Sequence, residues 1–231
     1  MLHEKDKKDV ITVKQYVKYS FMVTFVLLLT TGTITFIEAI RTQSPMIRHI
    51  FNLETCISII ASYFYSLFMT EIDEIDSTKK VFDWNYITQT RYMDWCITTP
   101  IMLLTLCLVL GNNIGKPLHL SIYALIVIMN YTMLAIGYFG EVNHLDKIVT
   151  SLFGFIPFFA MYAIIFNQFV MSKYRLDNYI LYGLFIFLWA MYGIVYLLND
   201  EYKNIGYNIL DLISKCFIGI GLWAYYTKIF V

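Results

Sequence analysis

The chain has 231 residues, 58% of them hydrophobic and 15% charged, with 17 Lys+Arg balanced by 17 Asp+Glu. A soluble domain carries about 25% charge, and a chain this short leaves much of its surface facing solvent, so this much apolar side chain belongs in lipid. The balance excludes a disordered chain and a nucleic-acid binder, which needs a basic excess, and it speaks against a soluble enzyme.

A membrane-spanning helix needs about 20 mostly apolar residues. In chain order the candidates are Lys18–Ile40, Ile47–Met69, Tyr86–Leu110, Leu118–Phe139, Ile148–Val170, Tyr179–Leu198 and Ile205–Phe230. The breaks are polar or turn-rich: RTQSP, EIDEIDSTKK, GNNIGKP, GEVNHLDK, SKYRLDN and NDEYKN. Pro45 and Pro117 stand where a new helix starts, the position a helix tolerates best. The expectation is an all-α membrane protein, one seven-helix transmembrane bundle over residues 1–231 with an N-terminal tail over 1–17. No linker divides it, and no repeat or appended soluble domain is visible.

The N-terminus, MLHEKDKKDV, is charged and lacks an apolar core, so it is not a secretory signal; the first span is expected to insert by itself. Cys56, Cys96, Cys107 and Cys216 all fall inside apolar spans, at spacings that match no zinc or redox pattern. They read as packing thiols, with no metal site.

Orientation is ambiguous on charge. The N-terminal side carries Lys5, Lys7, Lys8, Lys14, Lys18, Lys79, Lys80, Lys147 and Lys203; the other side carries Arg41, Arg48, Lys116, Lys173, Arg175 and Lys228. The positive-inside rule then puts the N-terminus in the cytoplasm, but the loops without the tail give the opposite answer. Glu71, Asp73, Glu74, Asp76, Glu141, Asp146, Asp200 and Glu201 all gather on the N-terminal side.

Ionisable groups inside a span are costly and mark function. They are Glu38, Glu54, Arg91, Asp94, Asp211 and Lys215. Glu38 sits at a helix end and can snorkel to the interface. Lys215 cannot: it lies about ten residues from either end, roughly 15 Å deep at the helical rise, and must be paired, neutral or covalently modified. Asp211 precedes it by four residues and shares its face, as does Asn208. On the third span Arg91, Asp94 and Thr98 share a face flanked by Trp95. A buried lysine is a standard nucleophile for an aldehyde, and the carboxylates would serve as its counter-charges. Trp189, Tyr192, Gly193 and Tyr196 form an aromatic stripe on the sixth span, suited to a flat polyene.

RYMDWCITTP (Arg91–Pro100) and DLISK (Asp211–Lys215), with Trp189-x-x-Tyr192, resemble the third-, seventh- and sixth-helix signatures of microbial (type 1) rhodopsins. NYTM with Gly137 is similar to that family's retinal wall, carrying over onto Met133 and Gly137. The resemblance covers Lys18 to Phe230. It implies all-trans retinal bound as a Schiff base on Lys215. Asp94 would be primary counter-ion and proton acceptor, Asp211 the second counter-ion, Arg91 a gate and Thr98 a hydrogen-bond donor to the counter-ion. Trp95, Trp189 and Tyr192 would sandwich the polyene. The family's N-terminus is outside, which agrees with the loop-only count.

The departures from the family pattern bear on function. Thr105 stands where outward proton pumps usually carry a carboxylic acid, Gly193 replaces the sixth-helix proline, and Lys203 stands at the extracellular proton-release position. Glu54, with Ser58 and Tyr65 on its face, and Asn208, with Ser20 as a further candidate, add polar groups on the second, seventh and first helices. This pattern is similar to the giant-virus rhodopsins of the light-gated cation channel group. It implies a retinal-binding photoreceptor, not an enzyme, acting as a light-gated cation channel whose opening is coupled to proton transfer from the Schiff base to Asp94. Glu54 would favour cations at a constriction. The alternative is a weak light-driven proton pump with Glu54 as donor; a sensory receptor is a further alternative, without a partner named in the sequence. The partners implied are the lipid bilayer, monovalent cations and protons. The EIDEID stretch reads as a solvated acidic loop that concentrates cations, divalent ones included; a homo-oligomer is left open.

Overall fold

The computed structural model describes residues 2–78 and 83–229, with side chains over residues 15–74 and 83–229. The tail lysines (Lys5, Lys7, Lys8, Lys14), Asp76, Lys79, Lys80 and Phe230 therefore lie outside the described side chains. Among the described residues seven helices are long and apolar enough to cross a membrane, and no strand occurs. They are α1 (Leu2–Arg41), α2 (Pro45–Thr78), α3 (Trp84–Ile114) and α4 (Leu120–Val142), followed by α5 (Lys147–Val170), α6 (Leu176–Val195) and α7 (Asp200–Thr227).

Each helix packs on its neighbour in sequence, and α1 packs on α7, so the bundle closes into a ring; α3 also reaches across to α6. α3 and α7 are the most enclosed, with 67% and 56% of their most apolar windows buried, against 17% for α4. Side chains on α3 and α7 are thus the best shielded from lipid, and these two helices carry Arg91, Asp94, Asp211 and Lys215.

Helix ends follow local chemistry. The side chains of Asp83, Asp146 and Asn199 accept from the amides of Tyr86, Val149 and Tyr202, capping α3, α5 and α7. Gly115 closes α3 in the left-handed conformation at φ 71°, which glycine adopts without a Cβ penalty. Pro45 opens α2 as expected, whereas Pro117 lies in the segment before α4, which starts at Leu120.

Three boundaries differ from the sequence reading. α1 begins at Leu2, so the tail over 1–17 is helical from its second residue; it contains no Gly or Pro to stop it. The acidic EIDEID stretch is not a loop but the continuation of α2 to Thr78, with Ile72 buried against the core and Asp73 reaching Lys18 of α1 at 3.2 Å. The NDEYKN break is likewise the cap and first turn of α7, where Asp200 and Glu201 face the positive end of the helix dipole.

Two features interrupt regular helix near the interior. Pro100 within α3 cannot donate to the Cys96 carbonyl, and the Tyr131 hydroxyl of α4 takes that acceptor at 3.0 Å. Residues Leu212–Phe217 of α7 form a π-helical turn containing Lys215, the kind of local widening that gathers at functional sites.

Candidate functional site

Lys215 is 2% exposed and its Nζ lies 2.7 Å from Asp94 Oδ2 and 3.4 Å from Asp211 Oδ2. The sequence reading placed these three together, and the structure brings them into one buried cluster. The two carboxylates differ in what holds them. Asp211 Oδ1 accepts from Tyr192 Oη at 2.7 Å, and Oδ2 accepts from Tyr65 Oη at 2.9 Å, with Arg91 Nη1 3.6 Å away. Asp94 Oδ2 accepts from Lys215, while Asp94 Oδ1 is buried with no hydrogen-bond partner. Thr98 does not bond the carboxylate as expected: its hydroxyl donates to the Asp94 main-chain carbonyl at 2.8 Å, an ordinary back-bond within a helix.

Arg91 is fully enclosed. Its Nη2 donates to Asn208 Oδ1 at 2.8 Å and to Asn204 Oδ1 at 3.1 Å, and Nη1 donates to Tyr65 Oη at 3.3 Å. The guanidinium also faces the rings of Phe21, Phe68, Tyr65 and Tyr207 at 5.1–5.8 Å, contacts that favour a buried cation. Asn208 Nδ2 donates to Ser20 Oγ at 2.8 Å, which joins α1 to the network.

A pocket opens beside Lys215. Its walls include Trp95, Met133, Gly137, Trp189, Tyr192 and Gly193, with Lys215 and Asp211 as its charged groups. Trp95 meets Tyr192 and Tyr207 edge-on at 5.5 and 4.9 Å, and Tyr192 stacks on Tyr207 at 5.8 Å. Gly137 is required by its neighbour, since a β-carbon there would stand 2.6 Å from Tyr92 Oη. An apolar, aromatic slot with one amine and an unsatisfied carboxylate oxygen beside that amine fits retinal on Lys215, with Asp94 and Asp211 as counter-charges. Trp95, Met133, Gly137, Trp189 and Tyr192 all line it.

The four residues read as an ion pathway do not form one feature. Ser20 and Asn208 sit with Arg91, before Lys215 along α7. Glu54 lies beyond Lys215, at Gly219, where its Oε2 would be 3.0 Å from a β-carbon, beside Thr31; Ser58, one turn along α2, packs on Gly32 of α1. None of the four lines the Lys215 pocket. Glu54 is 3% exposed and has Thr105 as its polar neighbour across the α2–α3 interface. The hydroxyls of Thr31, Ser58 and Thr105 are buried without a hydrogen bond of ordinary geometry.

Sequence reasoning missed Tyr207, Asn130 and the partners of Lys203. Tyr207 packs on Trp95 and on Arg91, and only its place one residue before Asn208 hinted at it. Asn130 of α4 donates to Thr99 of α3 at 2.8 Å, a lone buried amide in an apolar run. Lys203, read as a replacement for an acid, is 2% exposed and is clasped by Glu141 at 2.9 Å and Asp200 at 2.8 Å; nothing in the spacing joins residues 62 positions apart.

Residues 15–229 match the family described as bacteriorhodopsin-like protein. The crystal structure of the viral rhodopsin OLPVRII is 43% identical, covering 93% of this chain and 99% of that one with a TM-score of 0.85. A thermophilic rhodopsin, at 23% identity over 92% of this chain and 93% of its own, shares the fold with a TM-score of 0.73. Green-light absorbing proteorhodopsin from Gamma-proteobacterium EBAC31A08 is 25% identical over 162 residues, 61% of this chain and 62% of that relative, so the match spans less than two thirds of its length. The lysine, its two carboxylates and the aromatic slot thus have their relatives: the chain belongs to the bacteriorhodopsin-like family of microbial rhodopsins, an integral multi-pass membrane protein of the retinal-binding kind.

Proposed function

We propose that the protein moves protons across the membrane in response to light, with Asp94 as acceptor and Glu54 as the group that resupplies the proton. Retinal on Lys215 would supply light absorption and a change of shape. The protein's own residues supply the asymmetry. Asp211 is held as a carboxylate by two phenol donors and Arg91, so it serves as a fixed counter-charge. Asp94 has a single partner at Oδ2 and a free lone-pair oxygen at Oδ1, so it is the carboxylate with room for a proton. Glu54 faces the opposite side of Lys215 from Arg91 and Asn208.

The observation that carries the reading is Glu54, a buried carboxyl on α2 packed against Gly219, one helical turn beyond Lys215. An intramembrane acid without a cationic partner is expensive and marks a proton route or an ion route. It stands beside Thr105, the position whose lack of an acid argued against a pump. With the N-terminus outside, Asp94 and Arg91 face the exterior half and Glu54 the cytoplasmic half, which gives outward transfer.

A light-gated cation channel is the second reading. What favours it is the polar seam of Ser20, Asn208 and Tyr65 between α1, α2 and α7. Against it, those groups are spent on one another and on Arg91. Voltage clamp of the retinal-loaded protein separates the two. An outward photocurrent that keeps its sign at all potentials is expected; a current that reverses and follows cation gradients would replace proton transfer with the channel.

A further inference from the structure

Lys203 makes an ion cluster outside the retinal site. Its ammonium receives three carboxylate oxygens: Glu141 Oε1 and Oε2, both at 2.9 Å, and Asp200 Oδ1 at 2.8 Å. Lys203 is 2% exposed, so its charge is enclosed while Asp200 remains half open to solvent. Glu141 comes from the end of α4, and Lys203 and Asp200 from the first turn of α7. Asn204, the next residue, donates to the Asp200 carbonyl at 2.8 Å and accepts from Arg91 at 3.1 Å. The cluster is therefore one side chain away from the guanidinium that closes the buried counter-charge network.

Two carboxylates against one ammonium leave a net charge of −1. Oxygens of two acids converging on one point are what a pore uses to hold a cation, and what a divalent metal takes as hard ligands. Here the place is taken by the protein's own amine. We infer that Lys203 is a tethered cation filling an outer-mouth cation site built by Glu141 and Asp200, and that it thereby excludes metal cations from the path outside Arg91. The side chain spans from α7 to Glu141 of α4, whose own side chain is only 10% exposed. Removing the ammonium leaves two acids facing each other with no counter-charge, a site of net −2 that takes a small divalent cation.

The inference about the site stands without light; its effect on transport rests on the proton-transfer reading above. The experiment uses the full chain, retinal-loaded, in lipid nanodiscs, titrated with CaCl2 in the dark and followed by the thermal midpoint of the visible band. Wild type is expected to show no saturable Ca2+ response that depends on Glu141. Lys203→Met, which keeps the side-chain length, gains a saturable rise in midpoint, and the double variant Lys203→Met/Glu141→Gln loses it. Should the Met variant fail to form pigment, Lys203→Gln is read in its place. A neutral variant that forms pigment without gaining the response, or a response that survives Glu141→Gln, overturns the inference. Lys203→Arg restores wild-type behaviour, which a pure packing role for the stem would not require. Under voltage clamp, external Ca2+ then reduces the photocurrent of Lys203→Met several-fold and leaves wild type unchanged; equal insensitivity overturns the placement on the exit path. If the wild-type current itself reverses with potential, the proton-transfer reading falls, and the dark titration still decides the site.

Discussion

Glu54 and Gly219 fit together with no room for a side chain between α2 and α7. A β-carbon on residue 219 would stand 3.0 Å from Glu54 Oε2 and 2.9 Å from Thr31 Cγ2. The carboxyl is thus positioned by the absence of an atom on the helix that also bears Lys215. Gly219→Ala is expected to displace the Glu54 carboxyl and to destabilise the protein by about 1–3 kcal/mol, the usual cost of overpacking. The checks are a lowered midpoint for thermal bleaching and a slower return of the ground-state absorption after a flash. An Ala variant with wild-type kinetics and stability would mean that Glu54 is not held by this contact.

Glu54→Gln removes the exchangeable acid and preserves the shape. Under the proposed function the return of the ground state slows by about a hundredfold or more, the lower end of the range for losing a positioned proton-transfer group. Added azide, a small mobile acid, restores the rate. A variant that recovers at the wild-type rate would remove Glu54 from the proton route. A slowed variant that azide leaves unchanged would assign Glu54 a structural role.

Asp94 and Asp211 sit on the same amine but carry different loads. Asp211 ties Tyr65, Tyr192, Arg91 and Lys215 together, so Asp211→Asn breaks a buried network and is expected to cost roughly 3–5 kcal/mol. Asp94 has only Lys215. Asp94→Asn is expected to lose less stability, to move the visible band to longer wavelength because a counter-charge is gone, and to abolish light-driven proton release. Thermal bleaching ranks the stabilities and a pH-indicator dye in vesicles follows release. Release that persists in Asp94→Asn and stops in Asp211→Asn would exchange the two roles.

The parts of this structure that were legible in the sequence are those set by spacing along one helix. Asp211 and Lys215, or Arg91, Asp94 and Thr98, share a face by helical periodicity alone, and hydropathy locates the spans. Three kinds of feature were not legible. Charged helical extensions such as EIDEID read as loops because polarity ends a span without ending a helix; Ile72 shows that one face is still buried. Contacts between distant helices, such as Glu141 with Lys203 or Asn130 with Thr99, depend on tertiary packing that spacing does not encode. The division of the polar residues into two groups on either side of Lys215 also needed coordinates. Ser20 and Asn208 had looked continuous with Glu54 because all three face inward.

Asn208 offers the sharpest test of whether anything crosses the seam between α1, α2 and α7. Its Oδ1 accepts from Arg91 at 2.8 Å and lies 3.0 Å from the Tyr65 hydroxyl, and its Nδ2 donates to Ser20 at 2.8 Å. Asn208→Leu keeps the volume and removes all of these bonds. Arg91 retains Asn204, Tyr65 and Asp211, so it stays paired, and the expected loss is about 1–3 kcal/mol for the polar groups left short of a partner. If protons travel through Asp94 and Glu54, the photocurrent of this variant keeps its direction at every potential, because Asn208 neither accepts nor supplies a proton. If cations cross the seam, an apolar side chain in place of Asn208 blocks them, and the current disappears while pigment and flash-induced absorption changes remain. The second outcome would place the conducting path beside α7 and overturn proton transfer as the protein's function.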